Sequence, residues 1–214
     1  MLRRLVPLGF ALGVALPAWA AAAVVTRPQY QPSASDLSRA KASVPQRGDL
    51  PAGFALLAPH SETPSEWIAC HGYTPSTERL VVTARVIEEL RASAGALDGQ
   101  SGVFVFKTSA MADAYVAAVY RRSYQECILK RFFRGIRSIS FPAPPELSIG
   151  RHGVVLLYKA KATTGGSSFG LTYVSAVGRS VVIVAFARFN VAPETALLSR
   201  LASAMANHVK SNGI

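Results

Sequence analysis

Near the end of the chain, three apolar runs follow one another with almost no sequence between them. They are Val154 to Ala162, Gly170 to Val177 and Val181 to Phe189. Gly165-Gly166-Ser167-Ser168 separates the first two, and Gly178-Arg179 separates the last two. The runs are rich in β-branched and aromatic residues, which favours strands. Parallel neighbours need a crossover of a dozen or more residues, so connections this short allow only antiparallel pairing. Whatever else the chain does, this part builds an antiparallel meander.

The rest of the pattern fits around that meander. Leu80 to Ile87 and Val103-Phe104-Val105-Phe106 read as strands, with Gly95 to Gly102 as a turn region between them. Ile136 to Phe141 is a short strand stopped by Pro142. Thr108 or Ser109 caps a helix expected to run to about Cys127, with Asp113 in its first turn. Met111, Ala114, Tyr115, Ala118 and Val119 make one apolar stripe on it. Pro193 opens a terminal helix whose stripe is Leu197, Leu198, Leu201, Met205 and Val209. The expected fold class is α+β: an antiparallel sheet of about five to six strands packed with two main helices.

The N-terminus sets the compartment. Arg3 and Arg4, the apolar stretch Leu5 to Leu16, and Ala18-Trp19-Ala20 have the layout of a secretory signal peptide over residues 1–20. An uncleaved anchor over Leu5 to Val25 is the competing reading, disfavoured by Pro7 and Pro17; it would add membrane contact. Residues 21–48 are rich in Ala, Pro, Ser, Gln and charge and read as a flexible tether, with one helical turn from Ser35 to Lys41. Residues 49–214 then form a single domain.

Export gives meaning to the two cysteines, Cys70 and Cys127. In an oxidising compartment an isolated pair is expected to form a disulfide. Closing a loop of that length stabilises a fold by about 4 kcal/mol in the chain-entropy model. The pair lacks the spacing of a redox motif or of a zinc site.

Catalytic signatures are weak. Gly166-Ser167-Ser168-Phe169-Gly170 matches the G-x-S-x-G nucleophile elbow, which would make Ser168 a serine hydrolase nucleophile. The residues after it, Leu171-Thr172-Tyr173-Val174, read as a strand where an elbow needs a helix. Glu194 and His208, in hydrolase order, fall on one helix about 20 Å apart. The four histidines, His60, His71, His152 and His208, form no metal-binding spacing, and Glu88 and Glu89 diverge on a strand. No metal, cofactor or catalytic residue is expected.

Charge is more informative. The net charge is +11, and +9 without Arg3 and Arg4. Arg121, Arg122, Lys130, Arg131, Arg134 and Arg137 crowd one segment, interleaved with Tyr124, Phe132 and Phe133. Arginines beside aromatics suit phosphates and sulfated or carboxylated glycans. They also suit single-stranded nucleic acid, which export makes the least fitting partner. The plain alternative is a solvated helix end whose cations complement the C-terminal dipole.

A broader pattern joins these elements. Leu50-Pro51-Ala52-Gly53-Phe54, the loop cysteine Cys70 and a strand precede "VFVFKTSAMADAYVAAVYRRSYQEC"; then come "VVLLYKAKA", a strand–Gly-Arg–strand hairpin and an Ala-rich last helix. Over about residues 48–212 this resembles the secreted sensor-like domains of actinobacteria, of the kind that forms the extracellular part of the serine/threonine kinase PknH. The resemblance implies a sheet-and-helix sandwich with a cleft that binds ligands rather than doing chemistry. This chain departs from the kinase domain in having one cysteine pair where that domain carries two disulfides, and in lacking a kinase. The resulting expectation is a secreted, non-enzymatic domain that binds an anionic or amphiphilic ligand of the cell envelope, such as an anionic glycan or lipid headgroup. The alternatives are an envelope protein-interaction module and a secreted serine hydrolase using Ser168.

Overall fold

A computed structural model describes residues 29–61, 80–92, 97–132, 136–144, 153–163, 166–190 and 195–214. Its centre is the meander that the short connections demanded. Strands β7 (Gly153–Ala162), β8 (Ser167–Val177) and β9 (Ser180–Phe189) pair antiparallel in sequence. Gly178 turns β8 into β9 at φ 59°, a left-handed value that suits glycine; a Cβ there would stand 3.0 Å from the Ile214 carbonyl oxygen.

The sheet is wider than the sequence pattern predicts. Strand β9 pairs with β5 (Leu97–Phe106), which pairs with β4 (Val81–Ala92). The short strand β6 (Ile136–Ser140) lies beyond β7. Strand β4 also takes β1 (Gln29–Tyr30) in parallel, and β2 (Phe54–Leu56) and β3 (His60–Ser61) antiparallel. Among the described residues nine strands result, in place of the five to six expected. The three additions are two or three residues long, too short to show alternation. Strand β5 also begins at Leu97, inside the expected turn region. Its glycines misled that reading: Gly99 is required because a Cβ there would fall 2.5 Å from the Phe186 ring.

Four helices cover the sheet: α1 (Ala34–Ser43), α2 (Ser109–Val119), α3 (Arg122–Phe132) and α4 (Thr195–Ser211). Two corrections follow. Residues 29–48 of the expected tether are part of the domain, since Ala40 and Val44 are buried against the same core as Leu201 and Met205. Composition hides this because α1 buries only small residues and one aspartate. The expected single central helix is two helices. Tyr120 ends α2, and the Gln125 side chain donates to the Val119 and Tyr120 carbonyl oxygens at 3.2 and 2.9 Å, capping it from the first turn of α3.

The apolar residues of β5 alternate, so Val103 and Val105 face one side while Phe104 and Phe106 face the other. On the first side α1 and α4 close a core with Leu198, Leu201, Met205 and Val209. On the second side α2 packs Tyr115, Val116 and Val119 over Phe104, Phe106 and Val181. The sheet is therefore covered on both faces.

One ion pair locks α1 to this sheet. Ser33 caps α1, its hydroxyl accepting from the Asp36 amide at 3.3 Å. The Asp36 carboxylate accepts from Arg179 Nη1 at 2.8 Å, from Arg179 Nη2, and from Thr83 Oγ1 at 2.6 Å. The Arg179 hydrogen bonds hold the Asp36 carboxyl below the usual carboxylate range, against the opposing effect of burial. Truncation by Asp36→Ala leaves the Arg179 guanidinium uncompensated and should destabilise the fold by about 3 kcal/mol at neutral pH. A depressed carboxyl contributes stability above its unfolded value near 3.8 and loses it as pH falls through the lower folded value. Urea titrations from pH 7 to pH 2 should show the gap between wild type and variant closing in acid; a gap constant with pH would contradict this assignment.

Glu88 has the opposite sign. It lies between Val86 and Leu90 on the core face of β4, 3 % exposed and directly opposite Ser101. Among the described residues nothing hydrogen-bonds its Oε2. Desolvation raises its carboxyl from 4.5 to about 7. Such a group favours folding when protonated, so its contribution is present below pH 4.5 and is lost as pH rises through about 7. Glu88→Gln should stabilise the protein by about 3 kcal/mol at pH 8 and by little at pH 4, read from thermal unfolding at both values.

Candidate functional site

A cavity of about 240 Å³ lies between α2–α3 and the sheet. Its floor is the sheet: Arg85 and Ile87 from β4, Phe104 from β5, Ile183 from β9, Val174 from β8 and Leu156 from β7. Tyr115 and Val119 of α2, Tyr124, Gln125 and Leu129 of α3, and Phe141 after β6 form the roof and wall. Residues on both sides of the break at Tyr120 line the cavity, with Tyr115 and Val119 before the break and Tyr124, Gln125 and Leu129 after it.

Most of the lining is apolar or aromatic, and the aromatic rings support one another. Tyr115 meets Phe104 edge-on at 5.8 Å and Phe106 at 5.3 Å. Among the described residues Arg85 brings the one cation into the lining, its guanidinium 4.7 Å from the Phe104 ring centroid. An apolar chamber holding one stacked guanidinium suits a ligand with an apolar body and few polar groups.

A second cavity of about 440 Å³ adjoins the first. It is lined by Glu89, Arg91, Ala185 and Ala187, and it shares Gln100, Tyr158 and Thr172 with the apolar chamber. Tyr158 reaches this junction because it lies opposite Gly170, where any Cβ would collide with its ring. Burial pushes the Tyr158 phenol up to about 12, so it keeps its proton at physiological pH. Glu89 and Arg91 pair at 3.5 Å on the exposed rim.

The segment singled out for its charge lies beside this chamber. Arg121 and Arg122 are exposed at the α2–α3 junction, Lys130 is exposed in the last turn of α3, and Arg137 is exposed on β6. The side chain of Arg131 and all of Arg134 lie outside the described residues. Arg122 pairs with Glu126 at 3.1 Å and sits 5.1 Å from the centroid of Phe141, a wall of the chamber. The helix break corrects one expectation. Arg121 and Arg122 stand at the start of α3, where the dipole disfavours cations, while Lys130 and Arg131 fall in its last turn, where the dipole favours them.

Ser168 does not sit on a nucleophile elbow. It is inside β8, opposite Ala160 of β7 and Phe189 of β9, with strand on both sides of its loop. Glu194 lies outside the described residues, and His208 faces Asp49 at 3.8 Å. His60 is exposed on β3; His71 and His152 lie outside the described residues. Among the described residues no group of three or more His, Cys, Asp or Glu side chains could hold a metal ion. Cys127 is half-buried on α3, and its expected partner Cys70 lies outside the described residues.

The resemblance implied a cleft, but the sequence did not mark the residues that line it. Arg85, Gln100, Tyr158 and Thr172 carried no motif. The available signal was a polar or hydroxylated residue inside a strand whose neighbours are buried, such as Thr172 between Leu171 and Tyr173.

No known family and no curated protein matches the chain by sequence. The fold is that of the extracellular domain of PknH from Mycobacterium tuberculosis, with a TM-score of 0.54 at 13% identity over 85% of this chain and 98% of that one. A putative uncharacterized protein of Mycobacterium smegmatis, the Rv0999 ortholog, is similar at a TM-score of 0.45 and 14% identity over 77% of this chain and 93% of that one. Among the described residues no helix is long and apolar enough to cross a membrane.

Proposed function

We propose that this chain is an exported, sensor-like or accessory binding domain without catalytic activity, whose ligand is an anionic or amphiphilic component of the cell envelope. The observation that carries the reading is the apolar chamber between α2–α3 and the sheet, with the Arg85 guanidinium on its floor. The shared fold with a kinase extracellular domain and the signal-peptide layout of residues 1–20 support an extracytoplasmic location. Arg121, Arg122, Lys130, Arg131, Arg134 and Arg137 would draw an anionic envelope component towards the chamber.

Decanoate at monomeric concentrations is a direct probe, read by calorimetry. One equivalent should bind, and Ile183→Trp or Leu129→Trp, each filling the chamber, should weaken binding at least tenfold while the protein stays folded. Equal binding by the filled variants would reject the chamber. In the same preparation, Arg131→Ser with Arg134→Ser should lower retention on anionic vesicles, more at about 0.01 M than at 0.15 M salt, because screening grows over that range.

Export also supports a Cys70–Cys127 disulfide joining the segment before β4 to α3. Intact mass and thiol labelling of the exported protein should find no free thiol; two free thiols would exclude the bond.

A further inference from the structure

The two adjoining cavities differ in chemistry, and the residues they share are all neutral and polar. Gln100, Tyr158 and Thr172 line both the apolar chamber and the open shelf. They come from three strands, β5, β7 and β8. Alternation puts them on one face of the sheet: Thr172 and Tyr158 flank the Leu171 and Leu157 positions that face the opposite core, and Gln100 is two residues from Gly102 of the chamber floor. The shelf beyond them has two charged side chains, Glu89 and Arg91, which pair with each other and leave its rim without net charge. The Tyr158 phenol stays protonated and so offers both a donor and an acceptor. A Thr hydroxyl and a Gln amide offer both as well.

We infer that the ligand is a single elongated amphiphile whose apolar chain lies in the chamber under α3 and whose uncharged, hydroxyl-rich end lies on the shelf against Gln100, Tyr158 and Thr172. This rests on the chamber being a binding site and names the polar part of its ligand. Glu89 and Arg91 neutralise each other, so among the described residues a charged end finds no surplus countercharge on the shelf, whereas a hydroxylated end finds donors and acceptors in equal supply. Sites built to hydrogen-bond hydroxyl groups discriminate sharply against ligands that lack them, since their polar groups are then left unpaired.

Calorimetry with three probes below their micellar range tests this: n-decyl-β-maltoside, decanoate with the same chain and a carboxylate end, and maltose as the head alone. Decyl maltoside should bind at least tenfold more tightly than decanoate, and maltose far more weakly than either. Thr172→Val and Tyr158→Phe should each reduce decyl maltoside affinity about fivefold, as one lost neutral hydrogen bond would. Each should lower decanoate affinity by less than that, so that the preference for the maltoside narrows, which a merely structural role would not do. If decanoate binds as tightly as the maltoside, or the two variants weaken both probes equally, the shelf assignment fails. The chamber reading stands in that case provided Ile183→Trp still weakens decanoate. If neither amphiphile binds at a site sensitive to Ile183→Trp or Leu129→Trp, both fail together.

Discussion

Asp36 and Arg179 are 143 residues apart in the chain and meet in a forked, partly buried ion pair. Their contact ties together three things that otherwise have no reason to be adjacent. Asp36 belongs to the first turn of α1, Arg179 to the turn between β8 and β9, and Thr83 to β4 at an irregularity in its pairing with β5. The guanidinium further donates to the Phe106 carbonyl oxygen at 3.4 Å, and the Phe106 amide returns a bond to the Arg179 carbonyl at 2.8 Å. The end of the meander is thereby fixed to β4, to β5 and to α1. Arg suits this role because its planar fork matches a carboxylate with two parallel bonds.

With α1 held, the two faces of the sheet take different work. The α1–α4 face is close-packed with Leu, Val and Met, and its polar intruders, Glu88 and Ser101, are enclosed. The α2–α3 face is closed firmly only over Phe104, Phe106 and Val181, and its helical cover breaks at Tyr120. A continuous helix would have kept one line over the sheet. Gln125 makes the break stable by satisfying the carbonyl oxygens that α2 leaves open. Gln125 also lines the chamber, and Arg121 and Arg122 stand at the same break.

The likeness to the PknH extracellular domain is a likeness of architecture, with little sequence in common. Function on such a scaffold is decided by the side chains that line a cleft, which differ freely while the sheet persists. Here those side chains are one stacked arginine, a set of aromatic rings and three neutral polar groups shared between two cavities.

The meander, the terminal helix and the mixed α+β class were legible in the sequence, because short connections and period-2 or period-3.6 patterning are local and need no knowledge of partners. The apolar stripe Leu198, Leu201, Met205 and Val209 is buried as its spacing demands. What the tertiary structure alone decided is long-range. Strands of two or three residues exist only because β4 offers them an edge. Helix α1 belongs to the domain because Ala40 is buried against the core and Arg179 pairs with its aspartate. The glycines of β5 read as a turn until the Phe186 ring beside Gly99 explains them. The cavity is the gap left between a broken helix and a sheet, and a gap has no residue of its own to mark it in a sequence.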